Sequence, residues 1–218
     1  MTTAIIVARG GSTRLPRKAL LPFAGTSLVG WKVEQLLACS GIDCVVVGSD
    51  DLEILREGER AGAIPCERDA YHCDESKCSA NEMIADMAGK VLGDTILWAH
   101  STNPLVSTDI YDAAIHAYAT RSQGFDSLAS VTKVQRHCWV GGTPFNFDPK
   151  AERHQPAAEL PFLHFQDGAI FIQPRRQMLS NRYFYGSNPV LFEIDAITGW
   201  DIDTERDYKL CLAMLGKQ

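Results

Sequence analysis

The chain has no long apolar run. None of its segments approaches the ~18 consecutive apolar residues that a membrane-spanning helix requires. Its first residues also lack the order of charged, apolar and small residues that marks a secretory leader. We therefore expect a cytoplasmic protein that has no membrane partner.

An excess of positive charge is also absent. The 218 residues include 21 Lys and Arg against 27 Asp and Glu, which gives a formal net charge of −6. Proteins that bind nucleic acid usually gather Lys and Arg over a whole face. We therefore expect no nucleic-acid partner, and any anion that the protein binds should be small.

Disulfides and zinc sites are not indicated by the cysteine pattern. The chain has seven cysteines, and an odd number without a secretory leader favours reduced thiols over a disulfide framework. Cys66, His72, Cys73 and Cys78 are near one another in the sequence, but their spacing matches no familiar zinc site. We assign no metal to this group.

Short β-branched runs alternate with amphipathic stretches along the chain. Buried strands are predicted at 4–7, 44–47, 95–98 and 128–131. The last helix should begin near Thr204, where Thr204 and Asp207 form a capping-type pair. This order predicts a single α/β domain over residues 1–218, with a mostly parallel sheet that binds its ligands at the carboxyl ends of the strands.

One proline-rich segment interrupts this alternation. Residues 141–165 include four prolines and show little periodicity of either kind. A structureless loop of that length is unusual inside a compact domain. We expect a lid, a protruding arm or a subunit contact at about 135–166, with a mobile surface loop as the alternative.

A cationic, glycine-bearing turn follows the first predicted strand. Gly10 and Gly11 allow backbone amides to turn toward an anion, and Arg9, Arg14 and Lys18 add positive charge. The pattern is neither G-x-G-x-x-G nor G-x-x-x-x-G-K-[ST]. It predicts a phosphate cradle at the mouth of the sheet.

A pair of acids, Asp201 and Asp203, lies near the carboxyl terminus. In an extended segment their carboxylates would project to the same side, about 7 Å apart along the backbone. Such a pair can hold Mg²⁺ together with phosphate and water oxygens, whereas the alternative is capping of the next helix. We prefer the metal site because the glycine turn and the Asp167-Gly168-Ala169 sequence are also present.

The segment ARGGSTRLPRK, from Ala8 to Lys18, resembles the signature of the acylneuraminate cytidylyltransferase (CMP-sialic acid synthetase) family. Further matches follow in the same order at Arg68, Ser79, 100–105, 167–172 and 201–207. The resemblance implies a Rossmann-like three-layer nucleotidyltransferase fold with a small dimerisation arm. It also implies CMP transfer from CTP to a small acidic acceptor with release of pyrophosphate, a Mg²⁺ or Mn²⁺ cofactor, and a homodimer.

The resemblance also implies roles for individual residues. The nucleotide would be bound by Ala8, Arg9, Gly10, Gly11, Ser12, Lys18, Arg68 and Ser79. Catalysis would depend on Lys18, Arg9 and Asp203, with Asp201 and Asp203 as the metal ligands.

The acceptor half of the site departs from the family pattern. His100 and Val106 stand where the family usually carries an acceptor-contacting glutamine and an arginine. We expect the acceptor to be bound by His100, Lys133, His137 and Gln166. A 3-deoxy-2-keto sugar acid of the nonulosonic type and a small phosphonate such as phosphonoformate both remain open as acceptors. A non-catalytic nucleotide-binding protein is a third alternative.

Overall fold

A seven-stranded sheet forms the centre of the protein in the computed structural model, which describes residues 1–12 and 14–215. Its spatial order is β11 (Pro189–Ile194), β7 (Ser127–Val134), β10 (Leu163–Pro174), β6 (Thr95–Ala99), β1 (Thr2–Val7), β4 (Cys44–Ser49) and β5 (Ile64–Glu67). Six strands run in one direction, and only β10 is antiparallel to its neighbours, β6 and β7. The predicted α/β class with a mostly parallel sheet is confirmed.

Helices cover both faces of the sheet. The described helices are α1 (Leu28–Leu37), α2 (Leu52–Arg60), α3 (Ala70–Cys73), α4 (Ala80–Lys90), α5 (Thr108–Ala119), α6 (Arg175–Asn181) and α7 (Glu205–Leu215). A 3₁₀ turn at Lys18–Leu20 leads into a short hairpin of β2 (Pro22–Phe23) and β3 (Thr26–Ser27). Within residues 1–12 and 14–215, no helix has the length and apolar character needed to cross a membrane.

Strand residues alternate between two apolar layers, as expected for a sheet that is covered on both sides. Ile6 and Val47 belong to the layer that packs on α1, α2 and α5. Ile5 and Trp98 belong to the opposite layer, against α4 and α6. The predicted three-layer arrangement is therefore present, and it leaves the carboxyl ends of the parallel strands open on one edge.

The last helix begins where the sequence predicted. The Thr204 hydroxyl donates to Asp207 Oδ2 over 2.7 Å, and the Asp207 amide donates to Thr204 Oγ1 over 3.4 Å. Asp201 and Asp203, however, do not lie in a strand, because β11 has already ended at Ile194. The segment is held instead by buried Ile202, whose amide donates to the Thr102 carbonyl over 2.8 Å.

The proline-rich segment carries short regular elements of its own. It contains a small hairpin of β8 (Trp139–Val140) and β9 (Thr143–Pro144), and a 3₁₀ turn at Ala157–Glu159. The adjoining ends of β7 and β10 pair with each other from Val131 to Val134. We call residues 135–166 the arm.

Candidate active site

The glycine turn and the carboxyl-terminal acids meet at the open edge of the sheet. Lys18 Nζ donates to the Ile202 carbonyl over 2.6 Å and lies 3.3 Å from Asp203 Oδ1. Arg14 Nη1 donates to Asp203 Oδ2 over 2.7 Å. Two cations of the turn therefore neutralise one carboxylate that lies far away in the sequence.

Gly10 permits a close approach between the turn and the start of α2. A Cβ atom at Gly10 would lie 2.8 Å from Asp51 Oδ2, so a side chain there would require the Asp51 side chain to move. The Gly10 amide donates to Asp50 Oδ1 over 3.0 Å. A phosphate at this amide would have to replace the Asp50 carboxylate, whereas Gly11 is exposed and has open space around it.

Ala8 and Arg9 lead from β1 into the turn. The buried Ala8 extends the sheet pairing by one residue, because its amide donates to the Gly48 carbonyl over 3.0 Å. Arg9 Nη2 lies 3.0 Å from Glu75 Oε2, and Ser12 is half-buried. Arg9 therefore bridges the end of β1 and the segment that precedes α4.

A cavity of about 440 Å³ opens beside Arg9. Four residues predicted from the sequence line it, namely Arg9, Arg68, Ser79 and His100. Its other lining residues are Val7, His72, Cys73, Glu75, Cys78, Ala80, Met83 and Trp98. The structure therefore brings together part of the predicted nucleotide set and one of the four predicted acceptor residues.

Two buried donors in this cavity have no acceptor. Arg68 is only 4% exposed; its Nη2 donates to the His72 carbonyl over 2.6 Å, but its Nε has no partner in the described part of the chain. Trp98 is fully buried, and its Nε1 also lacks a partner there. Because buried donors are nearly always paired in folded proteins, each of these two groups requires an acceptor from outside the described residues, either a water or a ligand atom.

Sequence reasoning missed Trp98. The signal was present, since Trp98 and His100 are two residues apart at the end of β6 and therefore face the same side of the sheet.

Ser79 plays a structural part that the motif did not predict. Its hydroxyl and amide donate to Glu82 Oε2 over 2.7 and 2.9 Å, and these bonds lower the pKa of Glu82. The pair forms a capping box that starts α4.

His100 is held in one tautomer. Its Nδ1 lies 2.6 Å from the Gly168 carbonyl oxygen, and a carbonyl only accepts, so Nδ1 carries the proton. Burial lowers the pKa of His100, and Lys18 and Lys32 act in the same direction, while the Gly168 carbonyl and Asp201 oppose the shift. The ring is therefore neutral near pH 7.

The Gly168 carbonyl is aimed at His100 by an irregularity in β10. The pairing register with β7 shifts between Gln166 and Phe171, and Gly168 takes a left-handed φ of 79°. Asp167 Oδ1 holds this turn by accepting from the Ser130 hydroxyl and, over 2.9 Å, from the Ala169 amide. Burial raises the pKa of the Asp167 carboxyl.

The other predicted acceptor residues do not line the cavity, because β7 and β10 carry them toward the arm. Exposed Lys133 lies 3.4 Å from Glu193 Oε2, with Nζ 4.0 Å from the centroid of the Phe162 ring. His137 belongs to the arm itself, where Nε2 donates to the Gln155 carbonyl over 2.9 Å. Gln166 is exposed on β10, opposite Val131. The structure thus does not assemble the predicted acceptor set within one chain.

The two predicted metal ligands fit a magnesium-type site that is only partly built by the protein. No group of three or more His, Cys, Asp or Glu side chains suitable for a metal occurs within the described ranges. Asp201 is exposed and makes no hydrogen bond or ion pair with other described residues, whereas Asp203 is held by Arg14 and Lys18. Mg²⁺ commonly takes one or two carboxylates and completes its shell with water and phosphate oxygens, so the donor types match.

The chain is similar in sequence to known cytidylyltransferases. A family model described as cytidylyltransferase matches residues 3–139. A pseudaminic acid cytidylyltransferase from Campylobacter jejuni is 26% identical over 212 residues, covering 93% of this chain and 91% of the relative. A 3-deoxy-manno-octulosonate cytidylyltransferase from Yersinia pseudotuberculosis is 35% identical over 129 residues, covering 58% of this chain and 49% of the relative.

A solved structure shares the fold along the whole chain. The structure of CMP:2-keto-3-deoxy-manno-octonic acid synthetase in complex with CTP has a TM-score of 0.73 at 17% identity, covering 99% of this chain and 98% of the other. Likeness at this low identity shows a common fold, and it agrees with the three-layer arrangement described above.

Proposed function

The chain belongs to the cytidylyltransferase family and is a CTP-dependent nucleotidyltransferase, and from this premise we propose that it transfers CMP to a 3-deoxy-2-keto sugar acid of the nonulosonic type. The products would be a CMP-sugar and pyrophosphate. Both relatives are named for a 3-deoxy-2-keto sugar acid, which supports this class of acceptor, and the relative named for pseudaminic acid supports the nonulosonic type. We also propose a cytoplasmic location.

The observation that carries the proposal is the meeting of Lys18, Arg14 and Asp203 beside the cavity that holds Arg9 and Arg68. Nucleotidyl transfer needs an attacking oxygen in line with the α-phosphorus and neutralised oxygens on the triphosphate. A nucleoside in the cavity would extend its phosphates from Arg9 toward Lys18. The triphosphate oxygens would then be neutralised on one open edge of the sheet.

Each part of the site would act by positioning and charge. The unpaired N–H groups of Arg68 and Trp98 would donate to acceptor atoms of the nucleoside. Arg9, Arg14 and Lys18 would balance the triphosphate charge that develops as pyrophosphate leaves. The acceptor's own hydroxyl would attack directly, so no covalent enzyme intermediate is needed.

Asp201 and Asp203 would hold Mg²⁺ or Mn²⁺. When bound, such an ion neutralises triphosphate oxygens and orients them for displacement. The triphosphate would bind Arg14 and Lys18 in place of Asp203. The Asp203 carboxylate would then be free to bind the metal ion.

We further propose a homodimer that forms through the arm. Large apolar side chains are exposed on it, with Trp139 58% and Phe145 61% exposed. Interfaces between subunits are enriched in such aromatic residues. Lys133 and His137 lie along or within the arm, so they could reach an acceptor only across such an interface.

Pyrophosphate release with CTP and Mg²⁺ tests the proposed reaction. The acceptor panel should contain pseudaminic acid, N-acetylneuraminic acid, 3-deoxy-manno-octulosonate and phosphonoformate. We expect release with at least one sugar acid and formation of its CMP conjugate. Release with phosphonoformate but with none of the sugar acids would contradict the proposal. Failure of all four acceptors to support release would also contradict it.

A further inference from the structure

We propose that His100 selects the acceptor by hydrogen-bond polarity: it binds a group that donates a hydrogen bond, such as a sugar hydroxyl or amide, and disfavours an ionised phosphonate. This inference rests on the proposed transfer of CMP to an acid, with the acceptor at the β6 side of the cavity beside His100 and the nucleoside reaching in from the Arg68 side. It assigns the choice between the two classes of acceptor to one ring nitrogen, Nε2.

The first step is the fixed orientation of the ring. The Nδ1–H group donates a hydrogen bond to the Gly168 carbonyl, and Phe171 and Phe184 pack edge-on against the imidazole at centroid distances of 6.3 and 6.0 Å. A ring flip would replace the Nδ1–H donor with a carbon and lose the 2.6 Å hydrogen bond. Gly168, Phe171 and Phe184 therefore fix the orientation of the His100 ring.

The second step is the rigidity of the carbonyl itself. Gly168 lies in the register shift of β10 with a left-handed φ of 79°, and the Asp167 carboxylate ties down the residues on either side. The carbonyl cannot turn away without breaking the bond between Asp167 and the Ala169 amide. His100 thus keeps its proton on Nδ1 whether or not a ligand is bound.

The other ring nitrogen of His100, Nε2, is available to a ligand. His100 lines the cavity, and Nε2 has no hydrogen-bond partner within residues 1–12 and 14–215. The charged groups that act on the ring are Asp201 from the carboxyl-terminal acids, Lys18 from the turn and Lys32 from α1. Burial and the two lysines keep the ring neutral and lower the His100 pKa, so Nε2 offers only a lone pair.

His100 therefore prefers ligand groups that donate a hydrogen bond, whereas a glutamine at the same position would show no such preference. An amide side chain presents both a donor and an acceptor, and it can rotate to suit either ligand. The Nε2 lone pair of His100 can only accept. A hydroxyl or N-acyl N–H of a sugar acid donates to this lone pair. Phosphonoformate has no N–H or C–OH donor, and once its phosphonate is fully ionised all of its oxygens are acceptors and leave the lone pair unpaired.

The tautomer can be tested without any turnover. Protein labelled with ¹⁵N in histidine distinguishes protonated from unprotonated ring nitrogens by NMR, and His100→Gln identifies the His100 signals by their loss. At pH 7 we expect a protonated Nδ1 and an unprotonated Nε2, with Nε2 shifting when N-acetylneuraminic acid or 3-deoxy-manno-octulosonate is added with a non-reactive CTP analogue. A proton on Nε2 at pH 7 would overturn the inference.

Selectivity gives the second test. The ratio of kcat/KM for the best sugar acid to that for phosphonoformate should fall by about tenfold in His100→Gln, the size expected for one hydrogen bond. Where phosphonoformate is not turned over, its inhibition constant against the sugar acid replaces kcat/KM. The control is His116→Gln, an exposed histidine on α5, which should leave the ratio unchanged.

The outcomes separate the two proposals. Sugar-acid turnover with a ratio that stays the same in His100→Gln would overturn this inference and leave the proposed function in place. Absence of turnover with every sugar acid in the wild-type protein would overturn both. A lower ratio together with the Nδ1–H tautomer would support the inference.

Discussion

The ammonium group of Lys18 lies 3.3 Å from the carboxylate of Asp203, although 185 positions separate the two residues in the sequence. Lys18 is mostly buried, with a side chain 15% exposed, so the contact is not a loose surface pair. Arg14 donates a hydrogen bond to the other oxygen of the same carboxylate. The two ends of the chain therefore build one charged centre, which we propose as the site of the triphosphate.

Lys18→Ala should lower kcat for CMP transfer by about 100-fold with little change in KM for CTP, because the lysine would act most strongly as charge develops on the leaving pyrophosphate. Steady-state pyrophosphate release with varied CTP measures both constants. Lys209→Ala removes the same charge from an exposed pair with Glu205 and serves as the control. A raised KM with unchanged kcat would make Lys18 a binding residue only.

Much of this centre could be predicted from local patterns. Gly10, Gly11 and Lys18 follow a buried strand, and the structure has them beyond the carboxyl end of β1, the edge where parallel sheets bind their ligands. The start of α7 was also predictable, since the capping pair of Thr204 and Asp207 is a short-range signal.

Other features depend on contacts that no local pattern contains. Asp201 and Asp203 are positioned by the burial of Ile202 and its bond to the Thr102 carbonyl rather than by a strand ladder. Lys133, His137 and Gln166 lie away from the cavity because β10 runs antiparallel and extends with β7 into the arm, an arrangement that strand-end reasoning does not reveal. These are long-range consequences of topology.

Ser79→Ala should destabilise the protein by about 1 kcal/mol, because it removes the hydroxyl of the capping box at the start of α4. Chemical denaturation measures the loss in the free energy of unfolding. Ser107 is the matched control, since it occupies the same position before α5 but makes no side-chain capping bond. Equal losses in Ser79→Ala and Ser107→Ala would show that the cap contributes nothing.

Lys32 should make stability depend on pH. It is fully buried on α1 and donates to the Asn103 carbonyl and the Tyr111 hydroxyl, each over 2.9 Å. Burial lowers the pKa of Lys32 to about 7 in the folded protein, against about 10.4 when unfolded. Between these values the unfolded chain binds more protons, so the free energy of unfolding should rise with pH by up to about 1.4 kcal/mol per unit.

Lys32→Met removes this titration and keeps the aliphatic bulk. The difference in unfolding free energy, wild type minus Lys32→Met, should therefore grow by about 2 kcal/mol from about pH 7.5 to about pH 9.5. It should be nearly constant below about pH 6, where both states are protonated. Denaturant titrations of both proteins across this range measure it. Parallel pH curves would show that the folded-state pKa is not lowered.

The arm should control assembly. Replacing the exposed Trp139 with Asp should shift a dimer toward monomer, because a charge would be buried in the interface proposed for the arm. Light scattering at matched concentrations measures the change. Leu92, which is 78% exposed but lies outside the arm, provides the control as Leu92→Asp. A wild-type monomer, or equal dissociation in both variants, would contradict the proposed interface.

The most direct test of the site is the turnover of Asp203→Asn with CTP, a sugar acid and Mg²⁺. We predict a fall in kcat of about 100-fold, because Asp203 would bind the metal ion that neutralises the same triphosphate as the cationic turn. Circular dichroism should be unchanged, and Glu205→Gln, an exposed acid two residues away, should retain full activity. Wild-type turnover in Asp203→Asn would contradict the claim that the two ends of the chain form a single catalytic centre.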